Sequence, residues 1–347
     1  MTGDKPPARR AGATLAGGLY RGATTTALPL IELLLQRRLM RGKEEAARID
    51  ERRGIPSIQR PSGPIVWIHA ASIGEAQSVL VLIERILRIA PELHILMTTG
   101  TVTSARMMGD RLPPRAIHQF VPVDRVAWVR RFLDHWQPAA ALWVESELWP
   151  NLLFESRRAG VPLALVNARM SEGSRKSWGR APNFARELLS CFGTILAQDA
   201  EIAGRLEALG ARNVSVTGNL KLAAAPLPAT AGALIRLQEA IGERPVWVAA
   251  STHRGEEDMV GSVHRGLADA HPGLLTLLAP RHRDSGGGLL FVVAHGGGVM
   301  ADVLGHFDVG REHVHRRRWC RRFVVEVVAN GLADLFDQAM GNRAIEA

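Results

Sequence analysis

Two acidic motifs carry the clearest chemistry in this chain. The run Trp143-Val144-Glu145-Ser146-Glu147-Leu148-Trp149-Pro150-Asn151 follows an apolar segment that reads as a buried strand. Its carboxylates, Glu145 and Glu147, fall at the strand's C-terminal end, just before a helix-starting Pro-Asn. A similar arrangement stands earlier: Pro64 to His69 is apolar, and Ala70-Ala71-Ser72-Ile73-Gly74-Glu75 then turns into a helix. Carboxylates are costly to desolvate, so at such positions they are usually paired or used. In open α/β sheets ligands bind outside the carboxyl ends of strands. Two strand-end acidic motifs in one half of the chain therefore predict a single site built from neighbouring loops.

The elements that would hold these residues alternate regularly. Strand-like runs at 65–69, 94–99, 116–121, 139–144, 163–167, 194–197 and 214–217 are each separated by a helical pattern, among them 76–89, 103–111, 126–136, 150–159, 183–190 and 200–209. Such alternation means βαβ units, a parallel sheet and helices on both faces. Residues 223–233, small and Pro-containing, read as a linker. After them come a strand at 245–250, a turn at 251–257, a helix to about 270 and a strand at 274–279. The expected architecture is α/β, with two doubly wound domains facing a cleft. Past Asp284 the alternation is lost, and arginine and histidine crowd Arg311 to Arg322.

The chain has 347 residues and a formal charge of +9. That excess favours an anionic partner such as a phospholipid surface, a phosphorylated substrate or nucleic acid. No helix-turn-helix, zinc-finger or RNP-type pattern supports nucleic acid, and a single tyrosine argues against a stacking platform. A charge-driven RNA- or DNA-binding α/β protein is the weaker alternative. Cys191 and Cys320 make neither a disulfide framework nor a zinc site, and Cys191 reads as a small core residue. His313, His315 and Cys320 match no metal-ligand spacing. The stretch from Leu15 to Leu35 is mostly apolar but broken by Arg21 and Glu32, and Arg37, Arg38, Arg41 and Lys43 follow it. It reads either as a shallow membrane anchor with basic residues at headgroup level or as an ordinary first helix.

Seven motifs in order resemble one family: HAASIGE (69–75), TTGTVTSAR (98–106), WVESELWPN (143–151), NARMS (167–171), GNLK (218–221), ASTHRGEE (250–257) and APRH (279–282). Together they are similar to the 3-deoxy-D-manno-octulosonic acid (Kdo) transferases of Gram-negative bacteria, over roughly residues 30–284. The resemblance implies a GT-B glycosyltransferase whose first Rossmann-like domain binds the acceptor and whose second binds the nucleotide sugar. It implies CMP-Kdo as donor and the tetraacylated disaccharide phosphate precursor of lipid A (lipid IVA) as acceptor. It places the protein peripherally or monotopically at the cytoplasmic face of the inner membrane, and implies an inverting, metal-independent enzyme with no cofactor.

Carried over motif by motif, the resemblance makes Glu75 the general base. A sugar hydroxyl is a poor nucleophile until a carboxylate takes its proton. The plainer alternative is a first-turn glutamate complementing a helix dipole. Glu145 and Lys221 match positions that stabilise the transition state: a carboxylate against an oxocarbenium-like centre, a lysine against the leaving phosphate. Glu147 either orients Glu145 or caps the Pro150 helix. Ser72, Gly74 and Arg169 fall in substrate-contacting motifs. Arg281 and His282 match a CMP-contacting pair, and Ser251 and Thr252 either help hold phosphate or cap a helix.

The expected division is an N-terminal membrane-associating region (1–53), an acceptor domain (54–222), a linker (223–233), the start of a donor domain (234–284) and a divergent tail (285–347). In the family, APRH precedes a Gly-Gly turn and a GG-(His/Gln)-NPLEPA motif. Neither stands in residues 285–347, which read as a frameshifted or truncated end, expected to be poorly packed. The alternative to an enzyme is thus an inactive remnant or acceptor-binding protein unable to hold CMP-Kdo.

Overall fold

The structure, a computed structural model, describes residues 14–223, 231–253, 255–280, 291–293 and 299–300. They fall into two compact units, with residues 14–223 in the first and those from 231 onward in the second. The Arg311–Arg322 cluster, Cys320 and nearly all of the expected tail lie outside the described residues.

The first unit is built on seven parallel strands: β1 (Ile65–His69), β2 (His94–Thr99), β3 (Ala116–Phe120), β4 (Ala140–Val144), β5 (Leu163–Ala168), β6 (Thr194–Ala197) and β7 (Val214–Val216). Their order is β3-β2-β1-β4-β5-β6-β7. The chain moves outward from β1 to β3, returns to β4 on β1's other side, and continues. The reversal between β1 and β4 is the switch point at which doubly wound folds bind ligands.

β1 shows why the sheet is central. All five of its residues are buried. Ile65 and Trp67 enter one apolar cluster, with Phe132, Trp136 and Trp143. Val66 and Ile68 enter the other, with Leu82, Ile83 and Met97. Side chains alternate between faces along a strand, so an unbroken apolar run means helices cover both. On one side these are α6 (Val126–Trp136), α7 (Pro150–Arg158), α9 (Pro182–Leu189) and α10 (Ala200–Ala208). On the other are α3 (Ile73–Ser78), α4 (Leu80–Ile89) and α5 (Val102–Arg111).

Two local differences from the expectation have clear origins. The helix expected over 76–89 starts at Ile73 and breaks at Val79, whose ψ of −5 separates α3 from α4. The earlier start follows from Ser72, whose hydroxyl accepts from the Glu75 N–H. The basic segment after β5 holds a helix of its own, α8 (Glu172–Gly179), capped by Ser171. Its Arg175 and Lys176 pair with Glu172 on an exposed face, and Trp178 is its one apolar side chain against the core, so hydrophobic periodicity could not reveal it.

Two N-terminal helices, α1 (Leu15–Thr26) and α2 (Leu28–Met40), belong to this unit and are tied to its body. The Tyr20 hydroxyl donates to Asp124 at 2.9 Å, Asn151 donates to Thr24 Oγ1 at 3.0 Å, and Arg21 pairs with Glu155 at 2.8 Å. A 3₁₀ turn at Ala46–Arg53 then packs beside β3. It ends at Gly54, where a Cβ would lie 2.0 Å from the Trp128 carbonyl oxygen, so only glycine lets the turn abut α6. Glu51, buried, takes two bonds from Arg48 at 2.9 Å and one from the Phe120 N–H at 2.7 Å.

The second unit has α11 (Ala231–Ile241), β8 (Val246–Thr252), α12 (Glu256–Ala268), β9 (Leu275–Pro280), β10 (Phe291–Val293) and β11 (Val299–Met300). The expected linker lies outside the described residues at 224–230, and its last residues already belong to α11. β8 and β9 are parallel, but β9 pairs with β10, and β10 with β11, antiparallel. Only ten residues separate β9 from β10. A parallel crossover needs a dozen or more, so this departure from an all-parallel sheet follows from connection length.

Glu51→Ala would leave the buried Phe120 N–H without its acceptor and Arg48 without its carboxylate. We expect a loss of about 2 kcal/mol. It should appear as a lower urea midpoint at unchanged slope for the first unit's transition.

Candidate active site

Glu75 occupies the third position of α3, directly after β1. Its Oε2 accepts from the Ala71 N–H at 2.9 Å and its Oε1 from the Ser72 hydroxyl at 2.8 Å, while Ser72 Oγ accepts from the Glu75 N–H at 3.3 Å. Glu75 lies in the first turn of α3, the plainer placement anticipated for it, and it also exchanges hydrogen bonds with Ser72 in the manner of a capping box. Each oxygen keeps a free lone pair, and the side chain is only half-buried. Burial raises its pKa most; Ser72 and Ala71 pull it down, and the Glu145 and Glu147 charges push it up. A carboxylate with a raised pKa is a better proton acceptor. A Cβ at Gly74 would meet nothing within 4 Å, so chain packing does not require a glycine there.

Glu145 begins the loop after β4 and is 5% exposed. Its φ of 62° is left-handed, a conformation costly for a residue with a Cβ and concentrated at functional sites. Its Oε1 meets the Lys221 ammonium at 2.6 Å and Asn167 Nδ2 at 3.4 Å. Lys221 sits on a 3₁₀ turn at Leu220–Ala223 that packs on α3. The structure therefore brings Glu75, Glu145 and Lys221 onto adjoining elements at the β1/β4 reversal. Glu147 is half-buried in the same loop. Ser72 and Arg169 are exposed, and the Arg169 N–H donates to the Glu145 carbonyl at 3.3 Å.

Several organising residues escaped the sequence reading. Asn167, fully buried at the end of β5 with φ 53°, accepts from the Leu220 N–H at 3.0 Å through Oδ1 while its Nδ2 reaches Glu145. It joins the Glu145 loop to the turn carrying Lys221. The hints were its place at the head of the NARMS motif and its residue type, since asparagine tolerates left-handed backbone. Asp124 is the second. Its carboxylate takes the Asn151 N–H at 3.0 Å and the Leu152 N–H at 2.7 Å, capping α7 from a distant loop. That is the capping role considered for Glu147. Burial raises the Asp124 pKa to about 6 against these hydrogen bonds. His69, buried against Thr98 and Trp143, has its pKa lowered to about 4, so it is neutral at pH 7.

In the second unit, Ser251 is exposed with φ 68° at a register shift in β8, and Thr252 is buried and donates to Glu257 at 3.1 Å. Neither caps α12, whose cap residue is Gly255. Glu256, Glu257 and Asp258 fill its first turn, which disfavours a phosphate at that helix end. Arg281 and His282 lie outside the described residues.

A parallel doubly wound sheet with paired acidic and basic groups at its switch point defines an α/β fold with its candidate ligand site at the strand ends. A family profile described as "3-Deoxy-D-manno-octulosonic-acid transferase (kdotransferase)" matches residues 47–224. The chain is 36% identical over 275 residues to an Arabidopsis thaliana protein named "Probable 3-deoxy-D-manno-octulosonic acid transferase, mitochondrial", covering 77% of this chain and 62% of that one. It is 33% identical to the 3-deoxy-D-manno-octulosonic acid transferase of Rickettsia bellii, over 76% of this chain and 63% of that protein. The Bordetella pertussis enzyme of the same name is 35% identical, over 76% and 64%. The chain belongs to the Kdo transferase family. The matches span less than two-thirds of the length of these relatives. Among solved structures, a putative UDP-N-acetylglucosamine 2-epimerase from Listeria monocytogenes is similar at 13% identity and a TM-score of 0.46, covering 63% of this chain and 62% of that one. The order β3-β2-β1-β4-β5-β6-β7 by itself makes the first unit a doubly wound fold.

Asn167→Gly would keep the left-handed backbone and remove the bridge. A lost hydrogen bond of about 1 kcal/mol corresponds to several-fold faster opening. We expect the Leu220 amide to exchange hydrogen five- to tenfold faster while the amides of β5 keep their protection.

Proposed function

We propose that this protein transfers Kdo from CMP-Kdo to the lipid A precursor lipid IVA, in lipopolysaccharide biosynthesis, with inversion at the anomeric carbon. The observation that carries the reading is the meeting of Glu75 with the Glu145–Lys221 pair at the β1/β4 switch point. Family membership supplies the sugar; the geometry suggests how the step would run.

An acceptor hydroxyl attacks the anomeric carbon of Kdo as the bond to the CMP phosphate breaks. Glu75 takes the hydroxyl proton, and the bonding electrons leave with CMP. The buried Glu145 carboxylate opposes the positive charge that develops on the sugar. Lys221, whose side chain is 43% exposed, remains accessible to the leaving phosphate while held by Glu145. Ser72, Gly74, Glu147 and Arg169 surround the acceptor sugar in this reading. Ser251 and Thr252, with Arg281 and His282, belong to the donor side; the support is left-handed backbone at Ser251 and the position of both at a strand end rather than the α12 terminus. The domain roles follow: the first unit for acceptor, the second for donor.

Peripheral membrane association is part of the proposal, at the inner membrane's cytoplasmic face. Among the described residues no helix is long and apolar enough to cross a membrane. Leu30, Leu33, Leu34 and Met40 of α2 are nevertheless exposed, Met40 by 79%, as are Leu15 and Leu19 of α1. Apolar groups flanked by Arg37, Arg41 and Lys43 suit an anionic bilayer surface.

Glu75→Gln keeps a capping acceptor and removes the base. Transfer from CMP-Kdo, measured with both substrates saturating, should fall 10²- to 10⁴-fold with the thermal melt unchanged. Near-normal turnover would overturn the assignment, and acceptor binding with no transfer by the unaltered chain would favour the binding-protein alternative.

Glu147→Gln removes a negative charge that raises the Glu75 pKa. The acid limb of the kcat/KM profile should therefore move to lower pH. The sign is fixed: less repulsion lets Glu75 lose its proton earlier.

Leu30→Glu combined with Leu33→Glu should move the protein out of the pellet fraction with phosphatidylglycerol vesicles. Retention at the wild-type level would place the membrane contact elsewhere.

A further inference from the structure

Behind α2 lies a cavity of about 340 Å³ that shares no lining residue with Glu75, Glu145 or Lys221. Ile31, Leu34 and Leu35 of α2 form one wall; Val121, Trp149 and Leu152 stand across from them. It runs from a buried floor, with Leu35 4% and Leu152 1% exposed, to a mouth where Leu34 and Trp149 are 48% and 41% exposed. Its volume lies at the small end of the range for ligand sites, about 300–1,000 Å³.

The polar groups at its edge already have partners. Glu44 accepts from Arg38 at 2.6 Å and from Arg52 at 2.8 Å. Arg52 also donates to the carbonyls of Gly100 at 2.6 Å and Val121 at 3.1 Å. Asp124 is taken by Tyr20 and the start of α7. A saccharide placed here would lose water without gaining hydrogen bonds, which is costly; a hydrocarbon chain would not. Arg38 and Arg52 balance Glu44 and Asp124 around the cavity, and the positive excess lies at its rim, at the C-terminal end of α2. The half-exposed Arg38 stands there, beside the exposed Arg37 and Arg41 in sequence. The mouth is continuous with the exposed leucines of α2 and opens beside Trp149, four residues past Glu145 in the same loop.

We propose that this cavity receives one acyl chain of the lipid acceptor, with an anionic head held at the arginine rim. The proposal rests on the reading of the acceptor as a phosphorylated glycolipid. It gives α2 a second task, positioning the acceptor through its tail so that its sugar is presented toward the 145–149 loop. An acyl chain could equally come from bilayer phospholipid, so the test separates the two sources.

The full chain is titrated with dodecanoic acid brominated along its chain, kept monomeric, while tryptophan fluorescence is read. Bromine quenches only at short range, and Trp149 lines the cavity. We expect saturable quenching that is largely lost in Trp149→Phe and at least tenfold weaker in Val121→Phe, which narrows the cavity from its far wall. A phosphorylated, acylated glucosamine should displace the probe; short-chain phosphatidylglycerol at equal concentration should not. Absence of saturable quenching, or quenching unchanged in Trp149→Phe, overturns the cavity as an acyl site. Equal displacement by phosphatidylglycerol overturns the assignment to the acceptor. The assay contains no CMP-Kdo, so it can fail while transfer stands, and transfer can fail while it succeeds.

Discussion

Strand β1 pairs in parallel with β2 on one side and β4 on the other, and this placement governs the rest of the molecule. The pairing sets His69 between Thr98 and Trp143, which brings the loops after β1 and β4 out side by side. Glu75, in the helix that follows the first loop, and Glu145, in the second, come from those two connections, and the Glu145 charge helps raise the Glu75 pKa. The cost of gathering carboxylates is met locally: Lys221 neutralises Glu145, and the Ala71 amide and Ser72 hydroxyl hold Glu75. Burying both faces of the sheet makes the arrangement rigid, since the apolar clusters on either side lock β1 and β4 in register.

The supports of the site show where strain is accepted. Glu145 and Asn167 both adopt left-handed backbone at adjacent strand ends. Asn167 ties the two together and continues to the Leu220 amide. Asp124 does comparable work one layer out, fixing the start of α7 and anchoring α1 through Tyr20. The N-terminal helices are therefore connected to the base of the same loop that carries Glu145 and Trp149.

Much of the first unit was legible because its strands are short apolar runs and its helices amphipathic; β1, β2, α6 and β6 begin and end where the pattern predicted. Features fixed by distant side chains were not legible. The capping of α7 by Asp124 spans 27 residues, and nothing near Asp124 in the chain marks it as a cap for that helix. Helix α8 carries a single large apolar side chain, Trp178, so it left no period. The candidate residues Glu75, Glu145 and Lys221 were legible from motif order, but their convergence depended on strand order, which alternation alone does not specify. In the second unit the switch to antiparallel pairing after β9 was hidden because the flanking runs are only a few residues long.

An open sheet has two edges, and β3 is one of them. A long, flat edge invites a foreign strand to add itself, and proteins that survive at high concentration usually obstruct it. Glu51 already occupies the outward Phe120 N–H, and Arg48 reaches the His118 carbonyl at 3.1 Å on the same margin. The turn at 46–53 thus acts as a dummy strand, spending side-chain donors and acceptors where another molecule's backbone would otherwise dock. Loosening it would expose a docking ledge as well as weaken the fold, so the same change that lowers stability would also raise the tendency of this chain to associate with itself.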